Sequence, residues 1–318
     1  MMRKTKHFLS LALSVLAFTA CTQEDISTLP GGRQPLTLTA TIAGGADTRA
    51  TVDDDWTVGD EVALWVQEDG IFHYRVTDSR LGTMIGDYYW QNTGSKYIQA
   101  IYPYDAVKEG SSDLQNISWN VKENQNEHSG YEDCDLLCSE QLSVNGEYVP
   151  PINFYHQTAK IVVNVKQDGL PESINAEPGD ITLTIGGDNR LTLDGTFTPP
   201  INGGSDGWLG TWTPGSTTGS INPHLATTTP SGCFATYEAL VIPQDVAAGT
   251  KLLTFTATKN GIIYGPFYYA LDNNITWNSG YAYTYDITIF HYGLDVQVSE
   301  GFGWESGTGC SGSVELDY

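Results

Sequence analysis

The chain has 318 residues, and its 38 acidic side chains against 15 basic ones give a net charge of −23. A charge of this sign disfavours nucleic acid and anionic lipid surfaces as partners. The length exceeds what a single hydrophobic core usually spans, so two domains are expected.

Residues 1–20 are predicted to be an export signal. Basic residues precede an apolar stretch over residues 8–18, which is too short to span a bilayer. The small residues directly before Cys21 resemble a bacterial lipobox, in which the cysteine is lipidated, although Phe18 stands where that motif usually has Leu. Loss of the signal removes three positive charges and brings the net charge to −26. Residues 21–35 then form an acidic, polar tether, and an ordinary cleaved signal with an incidental cysteine is the alternative.

Strand patterns dominate from residue 36 onward. Residues 36–42 alternate apolar side chains with Thr, which is typical of a half-buried strand. Hairpin turns are predicted at Asp69-Gly70, Asn145-Gly146 and Asn260-Gly261, because these pairs accept the positive φ values of a type I′ turn. Further strands are predicted over residues 97–102, 152–165, 181–185, 237–242 and 281–290. No stretch carries a helical stripe for three turns, so the sequence predicts an all-β protein built of β-sandwiches.

The segment 198–233 is rich in Gly, Ser, Thr and Pro, a composition typical of linkers and long loops. We place the domain boundary at its start. The predicted N-terminal domain covers residues 36–197 and the C-terminal domain residues 198–318.

Four cysteines follow Cys21 in the sequence, and an exported protein permits disulfides between them. Cys233 and Cys310 are a plausible pair inside one predicted domain. Cys134 and Cys138 are too far apart for a direct bridge in an extended segment, which would separate them by about 13 Å against the ~6 Å that a disulfide tolerates. Buried structural thiols are the favoured interpretation of all four.

No pattern for catalysis or metal binding rises above background. Residues 203–207 match the G-x-S-x-G elbow around Ser205, but both flanks read as loop where the elbow needs a strand and a helix. The histidines are isolated, and the acidic run 53–55 lacks the alternate ligands and the glycine of a calcium loop. The sequence therefore predicts no catalytic residue, no metal and no cofactor.

Two aromatic clusters, over residues 88–90 and 267–269, fit either of two uses. Such rings fill β-sandwich cores, which is the favoured interpretation. An exposed face that stacks on sugars is the alternative.

Several short motifs occur in an order that spans roughly residues 36 to 304. They are Thr48-Arg49-Ala50, Trp56 to Asp60, Asp135-Leu136-Leu137, Phe154 to Lys160, Leu240 to Pro243 and Trp277 to Gly280. Together they resemble the fimbrillin family of Bacteroidales, the Mfa-like subunits of type V pili. The resemblance implies two transthyretin-like β-sandwich domains in tandem.

The resemblance also implies an assembly route. Family subunits travel as lipoproteins, an Arg-specific protease removes the N-terminal strand, and the vacated groove receives a strand from the next subunit. In this sequence Arg49 is the candidate cleavage site and residues 36–42 are the candidate exchanged strand, with Leu36, Leu38, Ala40 and Ile42 on one side. Arg33 is a competing site, and a surface arginine without a processing role remains the alternative for Arg49.

The expected role is a non-enzymatic subunit of a surface fimbria that supports adhesion. Its implied partners are other pilus subunits in a homo- or heteropolymer, the outer membrane through the N-terminal lipid, and a host or microbial glycan or protein. A surface lipoprotein that binds glycans is the second hypothesis, and a hydrolase the third. Stalk, tip and anchor positions stay open, and a donor strand containing residues 314–316 would favour the stalk.

Overall fold

The computed structural model of the chain describes residues 34–43, 55–90, 94–107, 111–127, 129–166, 177–201, 208–290, 293–302, 304 and 310–311. Within these ranges the regular elements are β-strands and three-residue 3-10 turns, so the predicted all-β class is confirmed. No helix of the described part is long and apolar enough to cross a membrane. The strands are β1 (Gln34–Ile42), β2 (Glu61–Val66), β3 (Gly70–Asp78), β4 (Thr83–Trp90), β5 (Lys96–Tyr102), β6 (Ile117–Asn120), β7 (Leu137–Ser139), β8 (Leu142–Val144), β9 (Ile152–His156), β10 (Ala159–Lys166), β11 (Ile181–Ile185), β12 (Leu191–Thr192), β13 (Asp194–Thr198), β14 (Thr211–Pro214), β15 (Thr218–Gly219), β16 (His224–Leu225), β17 (Cys233–Val241), β18 (Gln244–Val246), β19 (Lys251–Lys259), β20 (Ile262–Ala270), β21 (Ile275–Trp277), β22 (Tyr281–Phe290), β23 (Gly293–Phe302) and β24 (Cys310–Ser311). The 3-10 turns are Tyr104–Ala106, Glu132–Cys134, Pro178–Asp180 and Gly187–Asn189.

The first sheet closes on itself. Its strands pair in the order β2-β3-β4-β1-β9-β7-β5, and β5 pairs back to β2, while β8 lies beside β5. This ring encloses one apolar core that includes Leu64, Tyr74, Met84 and Phe154. Because the ring is closed, each of its strands has a neighbouring strand on both sides.

The second core lies between two sheets. A six-stranded sheet, β16-β17-β10-β22-β23-β24, and a three-stranded sheet, β11-β19-β20, contribute side chains to one buried cluster. Strand β10 is parallel to β22 and antiparallel to β17, and its alternate residues Ile161, Val163 and Val165 are buried in this cluster. The arrangement is a β-sandwich, which we call the second sandwich.

The strand pairing does not follow the predicted boundary between residues 197 and 198. Strands β10 and β11 precede that boundary but pair with β17, β22 and β19, which follow it. The predicted strand over residues 152–165 is two elements, β9 in the ring and β10 in the second sandwich. The chain therefore crosses between the two cores at Gln157 and Thr158, and the polar segment 198–233 holds loops together with the short strands β14 to β16.

The predicted turn at Asn260-Gly261 is confirmed. Lys259 pairs with Ile262, and the two residues between them have φ values of 51° and 77°. Both values are positive, as a type I′ turn requires.

The other two turns differ from the prediction. Strands β2 and β3 form the expected hairpin, but Val66 pairs with Gly70, so the loop has three residues and Glu68 takes the positive φ of 66°. At the third site Asn145 pairs with Tyr148. The Asn145 side chain accepts hydrogen bonds from the backbone N–H groups of Glu147 and Tyr148, at 2.9 Å each, which is a turn of a different kind.

One of the cysteine predictions is confirmed and another is wrong. Cys134 and Cys138 are buried free thiols, as predicted, and burial raises the pKa of Cys134 to about 11. Cys233 is also a free thiol. It lies on β17, whereas Cys310 lies on β24, four strands away in the same sheet. Four strand spacings amount to about 19 Å, far beyond the ~7 Å limit between the Cα atoms of a disulfide, so the predicted Cys233–Cys310 pair is wrong.

Candidate functional site

Strand β1 is the link that closes the ring. Its first part pairs antiparallel with β4, from Gln34 opposite Trp90 to Thr39 opposite Thr83. Its last part pairs in parallel with β9, with Ile42 opposite Phe154. In the described strand order β4 and β9 meet only through β1. Removing β1 would therefore turn the ring into an open sheet whose two edges are β4 and β9.

The side chains of β1 alternate as the sequence predicts. Leu36 and Leu38 are fully buried and Ala40 is 2% exposed, while the threonines between them face outward. Ile42, at the end of the strand, is half-buried and packs against the same core. Burying one leucine side chain stabilises a fold by about 1.5–3 kcal/mol, so the slot that holds β1 offers several kcal/mol to any strand with the same pattern.

Two residues that the sequence did not single out hold β1 in register. The buried hydroxyl of Tyr74 donates a hydrogen bond to the Leu36 carbonyl at 2.9 Å, and burial raises the pKa of this tyrosine, so the hydroxyl stays protonated. Gly82 accepts a hydrogen bond from the Ala40 N–H at 3.0 Å. A Cβ on Gly82 would lie 1.8 Å from the Ala40 carbonyl oxygen, so only glycine permits this approach. The turn before Thr83 is visible in the sequence, but its contact with β1 is not.

A cavity of about 180 Å³ lies at the end of the slot and is lined by Ile42, Trp56, Asp60 and neighbouring residues. Trp56 packs edge-on against Phe154, with ring centres 5.0 Å apart. Asp60 accepts a hydrogen bond from the Thr57 N–H at 2.8 Å. Burial raises the pKa of Asp60, since the cavity wall disfavours its charged form.

The chain between β1 and β2 contains the candidate cleavage site. Arg49 lies outside the described residues, as do Cys21 and Arg33. Chain order alone distinguishes the two arginines. A cut after Arg49 would leave β1 attached to the ring by non-covalent contacts only, whereas a cut after Arg33 would keep β1 in the chain.

The remaining sequence candidates do not assemble into a site. Ser205 and its elbow motif lie outside the described residues, as do His128, His291 and most of the run 53–55. Among the described residues no group of three or more His, Cys, Asp or Glu side chains is placed to hold a metal ion.

The aromatic clusters mainly fill cores. Tyr88 and Trp90 are 2% and 6% exposed, and Tyr89 between them is 40% exposed. In the second cluster Tyr269 is buried and Tyr268 lies outward. The alternation of the strands thus divides each cluster between its two faces, and neither presents neighbouring residues as one aromatic platform.

The comparisons with known proteins agree with this fold. The family model described as fimbrillin-like matches residues 48–300. The chain belongs to the fimbrillin-like family. The matched region begins after β1, the candidate exchanged strand.

Two solved structures share the fold of this fimbrillin-like chain. A provisionally assigned cell adhesion protein of Bacteroides uniformis is 21% identical, with a TM-score of 0.60 over 87% of this chain and 100% of that one. A second such protein, from Bacteroides ovatus, is 17% identical, with a TM-score of 0.57 over 89% of this chain and 99% of that one. No curated protein sequence matches the chain.

Proposed function

We propose that this protein is a structural subunit of a cell-surface fimbria, exported as a lipoprotein through Cys21 and assembled by exchange of its first strand. The observation that carries the proposal is the position of β1, which among the described strands is the one link between β4 and β9, and which precedes Arg49 in the chain. Family membership supports a fimbrial role and gives the protein no catalytic one.

The physics of exchange follows from the ring. Without β1, the backbone groups of β4 and β9 that paired with it are unsatisfied, and the slot for Leu36, Leu38 and Ala40 is open to water. Both defects are unfavourable, and both are repaired by a strand from another subunit that carries apolar residues at alternate positions. The joint would combine backbone pairing with the burial of two or three side chains.

The proposed location is the cell surface, with the precursor held at the outer membrane by its N-terminal lipid. Other pilus subunits, identical or different, are the proposed partners, and adhesion is the proposed outcome. A donor strand that contains residues 314–316 would favour a stalk position for the subunit. Residues 314–316 lie outside the described residues.

Treatment of the purified full chain with an Arg-specific protease tests this proposal. We expect a new N-terminus at Ala50, release of the β1 peptide and the appearance of SDS-resistant oligomers. The variant Arg49→Ala should stay monomeric, whereas Arg33→Ala should assemble like the parent. A chain that is cut after Arg49, loses β1 and remains strictly monomeric would contradict the assembly role.

The same two variants decide which arginine is used in the cell. N-terminal sequencing of protein shed from intact cells should begin at Ala50. A start directly after Arg33 would keep β1 in place, and the protein would then be released from its lipid with its ring still closed.

A further inference from the structure

A second concave surface lies on the small sheet β14-β13-β6, away from the residues that hold β1. It forms a groove of about 650 Å³, which is within the ~300–1,000 Å³ range of small-ligand pockets. We call it the threonine groove and define its floor by Ser118, Asn120, Asp194, Thr196 and Thr213.

Strand register places these five side chains on one face. On β13, Phe197 is buried and belongs to the core face, so Asp194 and Thr196 point to the opposite face. Ser118 and Thr213 lie on either side of Thr196. Asn120 lies beside Asp194 in the next row. The floor is therefore a small array of hydroxyl, amide and carboxylate groups.

The Asp194 carboxylate is held in place. Its Oδ1 accepts a hydrogen bond from the Thr217 N–H at 2.8 Å. Gly215 packs against this carboxylate, because a Cβ there would lie 2.4 Å from the same oxygen. A carboxylate that is already fixed suits a ligand hydroxyl, since less side-chain freedom is lost when it accepts the hydrogen bond.

The lining chemistry selects the class of ligand. No Lys, Arg or His is among the groove residues, which argues against phosphate or sulfate groups. The lining also includes Trp119, Val121, Leu193 and Pro214, but its polar floor argues against a wholly apolar molecule such as a lipid. The groove lies on the face of the sheet, where the backbone groups of β13 are already paired on both sides, so the ligand must be bound through side chains. A peptide that binds by strand addition would instead need a free edge.

We propose that the threonine groove binds a neutral glycan, whose hydroxyls both donate to Asp194 and exchange hydrogen bonds with Asn120 and the three hydroxyl side chains. This activity goes beyond the proposed assembly role and would give the subunit an adhesive contact of its own. The groove and the β1 slot share no residue, so one proposal can fail without the other.

Titration calorimetry of the uncleaved full chain tests the proposal, with maltohexaose, xylohexaose, mannohexaose and chitohexaose as neutral probes. We expect at least one to bind, and Thr196→Val and Asp194→Asn each to weaken it about tenfold or more. The first variant removes a hydroxyl partner, and the second replaces a charged acceptor oxygen with an N–H donor. Thr258→Val, at an exposed threonine of β19, is the matched control and should bind like the parent.

Two further probes separate the alternatives. A sulfated heparin hexasaccharide and a threonine-rich peptide should not compete with the neutral sugar. Thermal unfolding of the variants checks that the sheet is intact, and Asp194→Asn keeps an oxygen that can accept from the Thr217 N–H. Three results would overturn the proposal. They are no binding of any of the four neutral sugars, binding of the sulfated probe or the peptide alone, and equal affinities in the parent and both groove variants.

Discussion

The ring and the second sandwich bury their cores in the same way but close them differently. In the second sandwich the central strand β10 lies in the interior of the sequence, and it pairs along its whole length with β17 and from Lys160 to Lys166 with β22. In the ring the closing strand is β1, which precedes all other described strands and pairs with each neighbour over only part of its length. The chain continues on both sides of β10, so a single cut cannot release this strand. A single cut after β1 can release β1 from the ring.

The junction between the two units is not a comparable weak point. The buried His156 ring of β9 stacks on Trp304, which follows β23 of the second sandwich, with ring centres 3.4 Å apart. Gln157, at the crossover, accepts from the Gly210 N–H at 2.9 Å and donates to the Trp208 carbonyl at 3.1 Å. These contacts fix the chain where it passes from the ring to the second sandwich. Loss of β1 would therefore open the ring and leave its attachment to the second sandwich in place.

The largest expected effect comes from truncating a leucine in each core. Leu38→Ala in β1 and Leu183→Ala in β11 should each lower the free energy of unfolding by about 2–5 kcal/mol, since both side chains are buried. Cleavage at Arg49 should make the two variants differ. Leu38→Ala should then speed the release of the β1 peptide, measured by mass spectrometry of the dissociated fraction, and Leu183→Ala should not. Equal release rates in the two variants would mean that burial of the Leu38 side chain does not hold β1 in its slot.

The sequence predicted β1 well and its partners poorly. The alternation over residues 36–42 is visible because one face of the strand is buried and the other is wet, which also fixes its register. The partners β4 and β9 lie far along the chain from β1, and a local sequence pattern does not indicate which distant strand it pairs with. The close contact of Gly82 with Ala40 could not be predicted for the same reason, since the two residues are distant in the chain.

The crossover between the cores was missed for a related reason. Residues 152–165 form a run with strand character throughout, and no Gly or Pro follows Pro151 to mark the change of sheet at Gln157. The Gly-rich segment 198–233 marked irregular loops, which occur inside domains as well as between them. The threonine groove was not visible either, because each of its strands reads as an ordinary wet face, and only their register brings the side chains together.

A smaller effect is expected from Gly82→Ala. The added Cβ would collide with the Ala40 carbonyl and push β1 out of register, at a cost of about 1–3 kcal/mol, in addition to the strain of an alanine at a φ of +56°. Gly249→Ala is the matched control, because its φ is +77° and nothing lies within 4 Å of the new Cβ. Urea unfolding of both variants should show the larger loss for Gly82→Ala. Similar losses would show that β1 can shift at Gly82 without cost.

The smallest effect concerns charge at the end of the β1 slot. Burial raises the pKa of Asp60 in the folded protein above its unfolded value, so the folded state holds this proton more tightly. Above the folded pKa the carboxylate costs stability, and below the unfolded pKa both states are protonated and the cost vanishes. Asp60→Asn keeps an oxygen for the Thr57 N–H and cannot ionise.

Asp60→Asn should therefore be more stable than the parent near neutral pH, by less than about 1 kcal/mol because the group is partly exposed, and equal to it in acid. Urea midpoints measured at both pH values check this, with Asp87→Asn at an exposed position of β4 as the control. A variant that is less stable than the parent at neutral pH would reverse the sign. The hydrogen bond from the Thr57 N–H would then stabilise the carboxylate by more than its burial costs.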